Sequence, residues 1–523
     1  MTEPTDPDQS NYGERRFEDY LQVTGWGLYY KFMLGMGCVC NLTRGLLFAT
    51  MVFTVALSGC SGPSITQDNT VTIFITYFTA CGVGALVSGS LCDRYGRKRY
   101  LSYSLLSMFF GSFMAAFAYN NIIIILAVVL VGIGLETNSL QMKLILMETL
   151  GLKHRGFYIL LYDLFWTLGI VVTIVSVILL ETPTFFVIDR SVRVTTWRIM
   201  FAVSGCLSIV LACVCSLIEE SPRYFLYLER PYLAYLLLKQ LYGINKSSYA
   251  ENFPVKEDEL KGLISAYDLS YPEPAIHWKM LQKFLERFWK SLKLIFSSKY
   301  CLTTWALIVL KAVAIFFGTY PVGNVFAKVS TYQELDPTLH FASRNVNTLD
   351  LIYPAYSMLG DRNFNRTTSI CQRNIYHKAY YRNFISIYVP EVVIGQGLEL
   401  LFVDWTGRKQ QLASNFLIPS ICFMFLRFVD NTSYAIVANS FIITAIAGIR
   451  SMLAIVNLES YPTAVRGTSY GVTTFPGYLL AALAINWIDV DVKLLYVILS
   501  VTFLLMLVLI GILPEMKREP LTE

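Results

Sequence analysis

Charged side chains interrupt several long apolar segments of this sequence. They are Arg44, Glu136, Lys143, Asp163, Lys311, Glu399, Arg427 and Arg450. A charge inside an apolar segment is costly, and such residues commonly bind a ligand or carry protons. The cations could hold a carboxylate, whereas a desolvated carboxyl such as that of Glu136 could take up and release a proton near neutral pH. A permanent ion pair between Glu136 and one of the cations is the structural alternative.

The composition of the chain is that of a membrane protein. Of its 523 residues, 55% are hydrophobic and only 15% are charged, against about 25% charged residues in soluble domains. The net charge of +5 is spread over short clusters, whereas a nucleic-acid-binding protein concentrates its basic residues on one surface. We therefore expect the lipid bilayer as a partner, and no nucleic acid.

Twelve apolar runs are long enough to cross a bilayer, which takes about 20 residues. We number these predicted spans 1 to 12 in chain order. They cover residues 30–57, 70–91, 100–118, 122–147, 157–180, 199–218, 301–320, 385–403, 411–428, 434–456, 469–487 and 493–513. A long polar segment between spans 6 and 7 divides them into two sets of six.

Basic residues in the short loops predict the orientation. The loops after spans 2, 4 and 8 carry Lys and Arg, so both termini should be cytoplasmic. The polar start lacks the pattern of a cleavable signal peptide. The predicted division is a tail 1–28, a six-helix half 29–218, a cytoplasmic loop 219–300, a second half 301–513 that includes an outer connection 321–384, and a tail 514–523.

Both long connections carry recognisable features. In the cytoplasmic loop, "MLQKFLERFWKSLKLIF" predicts a basic amphipathic helix on the membrane or under the bundle, with a calmodulin-type target as the alternative. In the outer connection, Asn365 begins a glycosylation sequon. Cys60 and Cys371 lie on the outer, oxidising side, where they could form a disulfide or remain free thiols.

Enzymatic motifs are not evident in the sequence. The eleven cysteines show no zinc-type spacing. There is no phosphate-binding loop and no nucleophile–base arrangement. We expect no metal, no cofactor and no enzymatic activity.

Two motifs recur with the same offset. "DRYGRK" begins at Asp93 and "DWTGRK" at Asp404, which is 311 residues further on. "ETLGLKHRG" begins at Glu148 and "ESYPTAVRG" at Glu459, again 311 residues apart. This repeat predicts two duplicated six-helix halves, packed about an axis along the membrane normal, with a binding site between them near the membrane midplane.

The D-x-x-G-R-K loops after spans 2 and 8 resemble the signature loop of the major facilitator superfamily. "ESPRYFL" after span 6 and "ESYPTAVRG" after span 10 resemble the branch that holds sugar porters, organic-ion transporters and synaptic vesicle glycoprotein 2-like proteins. A large outer connection after span 7 is similar to the last group, whereas Asn41 and Arg44 depart from its acidic span 1. The resemblance implies an all-α membrane protein with twelve transmembrane helices in two pseudo-symmetric six-helix halves.

The resemblance also implies that spans 1, 4, 7 and 10 line the solute cavity. They carry four cations, Arg44, Lys143, Lys311 and Arg450, against the one carboxylate of Glu136, a net charge of +3. A positive cavity of low dielectric concentrates anions. We therefore expect a small-molecule solute that is an organic anion or another polar metabolite, with proton or ion coupling as an option. Lys143, near a span end, should extend toward the membrane surface.

Side chains on neighbouring spans could also contact the solute. The candidates are Asp163 and Trp166 in span 5, Trp305 in span 7, and Phe475 and Tyr478 in span 11. Aromatic rings could hold the ring or apolar body of a solute, although packing or lipid contact is the simpler role for any one of them.

By the same resemblance, the repeated motifs form an inner gate. Its charged residues should pair when the cytoplasmic side is closed and separate when that side opens. In the first half they are Asp93, Arg97, Glu148, Arg155 and Glu220, and in the second half Asp404, Arg408, Glu459, Arg466 and Glu515.

Two functions remain open at this point. The first is secondary transport of small organic solutes by alternating access. The alternative is a vesicle or cell-surface glycoprotein that keeps the fold but acts as a receptor or trafficking factor. Intact gate motifs in both halves favour transport. We expect a monomer in the plasma membrane or an intracellular vesicle.

Overall fold

The computed structural model describes twelve long helices at the positions of the twelve predicted spans, which confirms the predicted fold class. The residues described are 17–57, 67–151, 155–179, 186–189, 192–194, 196–246, 249–255, 260, 277–319, 389–429, 432–484, 492–515 and 521. The predictions for Asn365, for Cys60 and Cys371, and for the outer connection fall outside these residues.

The first half contains six of the helices, and we keep the span numbers for them. A side-chain cap begins span 4, where Asn120 accepts a hydrogen bond from the backbone of Ile122. Spans 1 to 6 are Leu28–Leu57, Gln67–Tyr95, Arg97–Ala116, Asn121–Thr149, Arg155–Leu179 and Thr196–Val214.

The second half repeats this order. Span 8 contains an irregular turn, because a π-helical segment, Glu391–Gln396, precedes its regular part. Spans 7 to 12 are Cys301–Thr319, Glu391–Thr406, Arg408–Leu426, Thr432–Ser460, Arg466–Ala484 and Val492–Ile512. Among the described residues, six helices (spans 1, 2, 4, 5, 6 and 10) are long and apolar enough to cross a membrane by length and composition alone.

A short β-hairpin between spans 5 and 6 is a feature that the sequence analysis did not predict. Strand β1, Phe186–Asp189, pairs antiparallel with strand β2, Val192–Val194, between spans 5 and 6. Strands of three and four residues are too short to show a clear alternation of apolar and polar residues in the sequence.

The two D-x-x-G-R-K loops are tight turns built on glycine. Gly96 has φ +101° and Gly407 has φ +96°, a region of backbone conformation that favours glycine over residues with a Cβ atom. Each turn joins two long helices without a longer loop, so spans 2 and 3 form one pair and spans 8 and 9 its counterpart. We call the end of the bundle that carries these turns the motif end.

The two halves approach most closely where span 2 meets span 11. A Cβ atom added to Gly89 would lie 2.3 Å from the carbonyl oxygen of Gly467, and one added to Gly471 would lie 2.6 Å from that of Ala85. Small residues let helix backbones touch, as is common between membrane helices. Glycine therefore allows these two spans of different halves to pack backbone to backbone.

Three short helices cover the motif end. They are Phe17–Thr24, Pro222–Tyr227 and Pro231–Lys246. Phe17, Tyr20 and Leu21 of the first pack with Leu226 and Leu238 of the others. We call this group the cap. A further helix, His277–Ile295, covers the segment for which the sequence predicts a basic amphipathic helix.

Candidate functional site

Arg44 and Glu136 meet in the interior of the bundle. Both are buried, and Arg44 Nη2 lies 3.7 Å from Glu136 Oε1. Arg44 also donates from Nε to the carbonyl of Leu135 at 2.7 Å and from Nη1 to the side chain of Asn41. Asn41 in turn donates to the carbonyl of Tyr162 at 2.7 Å. Asn41 and Arg44 stand where the synaptic vesicle glycoprotein 2-like proteins carry acidic residues in span 1. Together these two side chains bind span 1 to spans 4 and 5.

Tyr478 connects this pair to the second half. Its hydroxyl, on span 11, donates a hydrogen bond to Glu136 Oε1. Its ring stacks on Phe78 of span 2, with centroids 6.4 Å apart. Sequence reasoning selected Glu136 and Tyr478 separately, and the structure brings them into contact across the boundary between the halves.

Lys311 of span 7 is buried without a carboxylate partner among the described residues. Its Nζ donates to the hydroxyls of Thr473 at 2.9 Å and Thr474 at 3.0 Å. It also lies 3.9 Å from the ring centroid of Tyr470, within the range of a cation–π contact. Sequence reasoning missed these two threonines, although they stand directly before the "FPGY" of span 11.

Trp166 lies between two arginines of opposite halves. Its ring centroid is 4.8 Å from the Arg44 guanidinium and 5.8 Å from that of Arg450. Phe48 packs beside it at 5.2 Å. In the part of the chain that the structure describes, Arg450 forms no ion pair with a carboxylate within 4.0 Å. Lys311, which is buried, and Arg450, which is half-buried, are therefore two basic side chains of the second half with no paired carboxylate among the described residues.

The expectation for Lys143 is wrong. Its side chain is buried, and Nζ pairs with Asp163 of span 5 at 2.9 Å. This ion pair compensates the charge of the ammonium group inside the bundle, so the side chain does not have to reach the membrane surface. The count of +3 for spans 1, 4, 7 and 10 left out Asp163, which belongs to span 5. With the Asp163 carboxylate included, four basic side chains are opposed by two carboxylates, a net charge of +2.

The remaining aromatic candidates differ in place. Phe475 packs against Gly82 of span 2, since a Cβ atom there would lie 3.2 Å from its ring. Trp305 is 55% exposed and packs on Phe296 at 5.7 Å, so the structure does not bring it to the buried charges.

Charged contacts join the two halves at the motif end. Asp93 accepts hydrogen bonds from the backbone N–H of Gly467 at 3.1 Å, and from the N–H and hydroxyl of Thr468 at 2.8 and 2.9 Å. An acidic side chain at a helix N-terminus is favourable because free N–H groups and the helix dipole both attract it. Span 2 therefore caps span 11 of the other half.

Glu148 is shared by two arginines, one from each half. Its Oε1 accepts from Arg97 and from Arg466, each at 3.0 Å. Arg97 also donates to the carbonyl of Thr463 at 3.2 Å. All three charged side chains are fully buried.

The second half repeats this arrangement with longer contacts. Glu459 lies 3.7 Å from Arg155 and 3.6 Å from Arg408. Arg408 also pairs with Asp404 at 3.3 Å, and the Asp404 side chain is 21% exposed. The two gate clusters therefore have the same composition, but the first is shorter in its contacts and more deeply buried.

Glu220 and Glu515 cap the helices that follow the two glycine turns. Glu220 accepts from the backbone of Arg97 at 3.1 Å and of Lys98 at 3.2 Å. Glu515 accepts from Arg408 at 3.1 Å and Lys409 at 3.2 Å. Burial raises the pKa of the Glu220 carboxyl, and the charge of Arg97 only partly opposes this.

Glu18 is a gate-side residue that sequence reasoning missed. It pairs with Arg223, lies 3.8 Å from Arg155 and accepts from the backbone of Leu521 at 3.0 Å. Burial alone would raise its pKa, but Arg223 and the Leu521 N–H outweigh burial and lower it. The spacing of Phe17, Tyr20 and Leu21, one face of a helix, was the available signal.

Two six-helix halves, each with a D-x-x-G-R-K turn and a shared-glutamate cluster, define a major facilitator protein. The family of sugar (and other) transporters matches residues 42–320, slightly more than half of the chain. The chain belongs to this family. Within the described residues, no group of three or more His, Cys, Asp or Glu side chains could hold a metal.

Individual relatives are distant. A putative transporter, SVOPL, from Mus musculus is 22% identical over 473 residues, 89% of this chain and 84% of that protein. Organic cation/carnitine transporter 7 from Arabidopsis thaliana is 25% identical over 240 residues, so the match spans only 45% of its length. The proton:xylose symporter XylE bound to 6-bromo-6-deoxy-D-glucose has a TM-score of 0.64 at 15% identity, over 94% of this chain and 98% of that one. These proteins are named as transporters, and the last match concerns the fold alone.

Proposed function

We propose that this protein is a secondary transporter that moves organic anions across a membrane by alternating access. One observation carries the proposal. Lys311 and Arg450, on two spans of the second half, are basic side chains without a paired carboxylate among the described residues. They belong to the same group of charged side chains as Arg44 and Glu136.

The charge balance of the cluster favours an anionic solute. A buried cation without a counter-ion is unfavourable, and a carboxylate that enters the cluster supplies the missing charge. Until then, the hydroxyls of Thr473 and Thr474 and the ring of Tyr470 are weaker, neutral partners of Lys311. A solute carboxylate would displace them. The rings of Trp166 and Tyr470 would then contact its apolar body.

Glu136 is better explained as the paired structural carboxylate than as the proton site. Arg44 on one side pairs with its carboxyl group, and the Tyr478 hydroxyl on the other side donates a hydrogen bond to it. Because Tyr478 belongs to the second half, this contact has to break or shift when the halves rock. We infer that Glu136 couples the relative position of the two halves to the solute site formed by Arg44, Lys311 and Arg450.

The proposed cycle uses the contacts at the motif end. Basic loops make this end cytoplasmic, and the bonds of Asp93 and Glu148 to span 11 tie the halves together there. The described conformation is then closed to the cytoplasm, and the solute would arrive from the opposite side. Rocking toward the inward-open state breaks these contacts and releases the solute.

Uptake by proteoliposomes tests the proposal. Radiolabelled benzoate, lactate and succinate are compared with glucose and tetraethylammonium, using the wild type, Lys311→Gln and Lys290→Gln, a matched change on the exposed face of the helix His277–Ile295. We expect saturable uptake of at least one carboxylate, reduced more than tenfold by Lys311→Gln and unchanged by Lys290→Gln.

Two results would contradict the proposal. Uptake restricted to the cation or the sugar, with Lys311→Gln as active as the wild type, would exclude an anion site. No uptake of any solute by folded protein would favour the receptor or trafficking alternative.

A further inference from the structure

Glu399 is a further buried carboxyl, and neither the proposed solute site nor the gate contacts use it. It belongs to span 8, in the first turn after the π-helical segment, and is only 9% exposed. Its Oε1 accepts a hydrogen bond from Asn415 Nδ2 of span 9 at 2.7 Å. In the part of the chain that the structure describes, no cation lies within ion-pair distance of it. Irregular π-helical turns are frequent at functional sites.

The neighbouring span leaves room for this carboxyl. A Cβ atom added to Gly448 of span 10 would lie 1.8 Å from Glu399 Oε1 and 2.3 Å from Asn415 Nδ2. Any residue other than glycine would therefore displace the hydrogen-bonded pair. Spans 8, 9 and 10 therefore meet around this carboxyl group, and we call the place where they meet the Glu399 pocket.

The groups that face Glu399 are neutral or negative. From span 9 they are the amides of Asn415 and Gln411, and from span 10 Gly448. The Asp163 carboxylate of span 5 repels a negative charge on Glu399, although Asp163 is itself paired with Lys143. The cation of span 10, Arg450, lies over Trp166 instead. Nothing in this set compensates a negative charge on Glu399.

One hydrogen-bond acceptor on span 9, the side-chain oxygen of Gln411, has no donor among the described residues. Gln411 Nε2 donates to the backbone carbonyl of Glu399 at 3.4 Å, but Gln411 Oε1 is buried with no hydrogen-bond partner among the described residues. A carboxylate only accepts hydrogen bonds, whereas a carboxylic acid also donates one. Protonation of Glu399 therefore adds a hydrogen-bond donor next to span 9, where the Gln411 acceptor is unused, and it removes a buried charge with which no described cation pairs.

We propose that Glu399 is a proton-carrying site of the transport cycle, protonated in the described conformation and deprotonated when the pocket opens to water. An O–H bond forms on the carboxylate with a proton from water on one side of the membrane. The same bond breaks when water on the other side accepts the proton, so the net result is movement of one proton. This step rests on the alternating access proposed above, but not on the identity of the solute.

Infrared spectroscopy of the full-length protein in lipid nanodiscs tests the protonation state directly. A protonated carboxyl has a carbonyl stretch above the amide band, which a carboxylate lacks. Near neutral pH we expect this band in the wild type and in Glu286→Gln, an exposed acid of the helix His277–Ile295, and its loss in Glu399→Gln. A wild-type spectrum without a band that Glu399→Gln removes would overturn the proposal.

A second variant covers the case in which Glu399→Gln does not fold. Asn415→Leu removes the hydrogen bond to Glu399 Oε1, so the band should move to higher frequency. A band that does not move would assign the signal to another carboxyl and overturn the proposal.

Transport assays separate this proposal from the preceding one. With an inward proton gradient, wild-type proteoliposomes should accumulate the transported carboxylate, whereas Glu399→Gln should keep solute exchange but lose stimulation by the gradient. If the Glu399 band is present and no carboxylate is taken up, only the anion proposal fails. If carboxylate is taken up and the band is absent, only the proton proposal fails.

Discussion

Glu148 of span 4 and Arg466 at the start of span 11 are joined at 3.0 Å across the boundary between the two halves. Both are fully buried, and Arg97 of the first half shares the same carboxylate oxygen. Because Glu148 and Arg97 belong to one half and Arg466 to the other, the rocking proposed above would separate Arg466 from Glu148, while Arg97 could remain bound to Glu148.

Arg466→Gln should shift the protein toward the inward-open conformation without unfolding it. A hydrogen bond between charged groups contributes about 1.5–3 kcal/mol, so the ratio of closed to open molecules should fall about tenfold or more. Distances between spin labels on the two motif turns would measure the shift. Arg99→Gln, which changes an exposed arginine of the same motif, should leave the distances unchanged, and an equal effect of both variants would contradict the role of Arg466.

The two gate aspartates should differ in importance although they occupy equivalent positions. Both aspartates face a glycine of the other half, Asp93 facing Gly467 and Asp404 facing Gly156. Asp93 is buried and accepts three hydrogen bonds from span 11, whereas the Asp404 side chain is 21% exposed to solvent, which weakens its electrostatic contacts. Asp93→Asn places an amide N–H₂ against these donors, and each weakened charge-assisted bond is worth about 1.5–3 kcal/mol. Asp93→Asn should therefore open the gate about tenfold more than Asp404→Asn in the same spin-label measurement. Equal effects would show that the structural asymmetry has no energetic consequence.

The sequence contained enough information for the helices and for the types of gate residue. Spans stand out because a bilayer demands long apolar runs, and the offset of 311 between Glu148 and Glu459 matches equivalent positions in two duplicated halves. The partners of these residues were harder to foresee. Asp93 bonds to backbone N–H groups of Gly467 and Thr468, and backbone donors have no signature in a sequence.

Pairings between spans depend on the rotation of one helix against another, which single-sequence patterns do not encode. Lys143 therefore looked like a residue that reaches the membrane surface, although it binds Asp163. The cap was missed for a different reason, since the polar first residues conceal the short apolar face of Phe17, Tyr20 and Leu21.

Gly471→Ala should weaken the contact between span 2 and span 11. The added methyl group would lie 2.6 Å from the carbonyl oxygen of Ala85 and 2.9 Å from Leu86 Cα, so two backbones have to separate. Gly511→Ala is the matched control, because a Cβ atom there meets nothing within 4 Å and alanine favours a helix by about 1 kcal/mol over glycine. Thermal unfolding in detergent should occur at a lower temperature for Gly471→Ala and at an equal or higher temperature for Gly511→Ala. A Gly471→Ala protein as stable as the wild type would contradict the close packing.

The cap should detach from the motif end in acid. Arg223 and the Leu521 N–H lower the pKa of Glu18 below its ordinary value of 4.5 despite burial. A carboxyl with a lowered pKa stabilises the docked state above the ordinary value, and this stabilisation is lost as the pH falls through the lowered pKa. Docking should therefore be stable at neutral pH and weaken below about pH 4.5.

Hydrogen exchange in the helix Phe17–Thr24 measures this detachment. Glu18→Gln should exchange rapidly at neutral pH and lose the acid-dependent step, because the neutral amide cannot pair with Arg223 and Arg155. Asp19→Asn, the adjacent exposed acid, should retain the wild-type profile. A Glu18→Gln profile that still shows the acid step would mean that another group, and not Glu18, holds the cap.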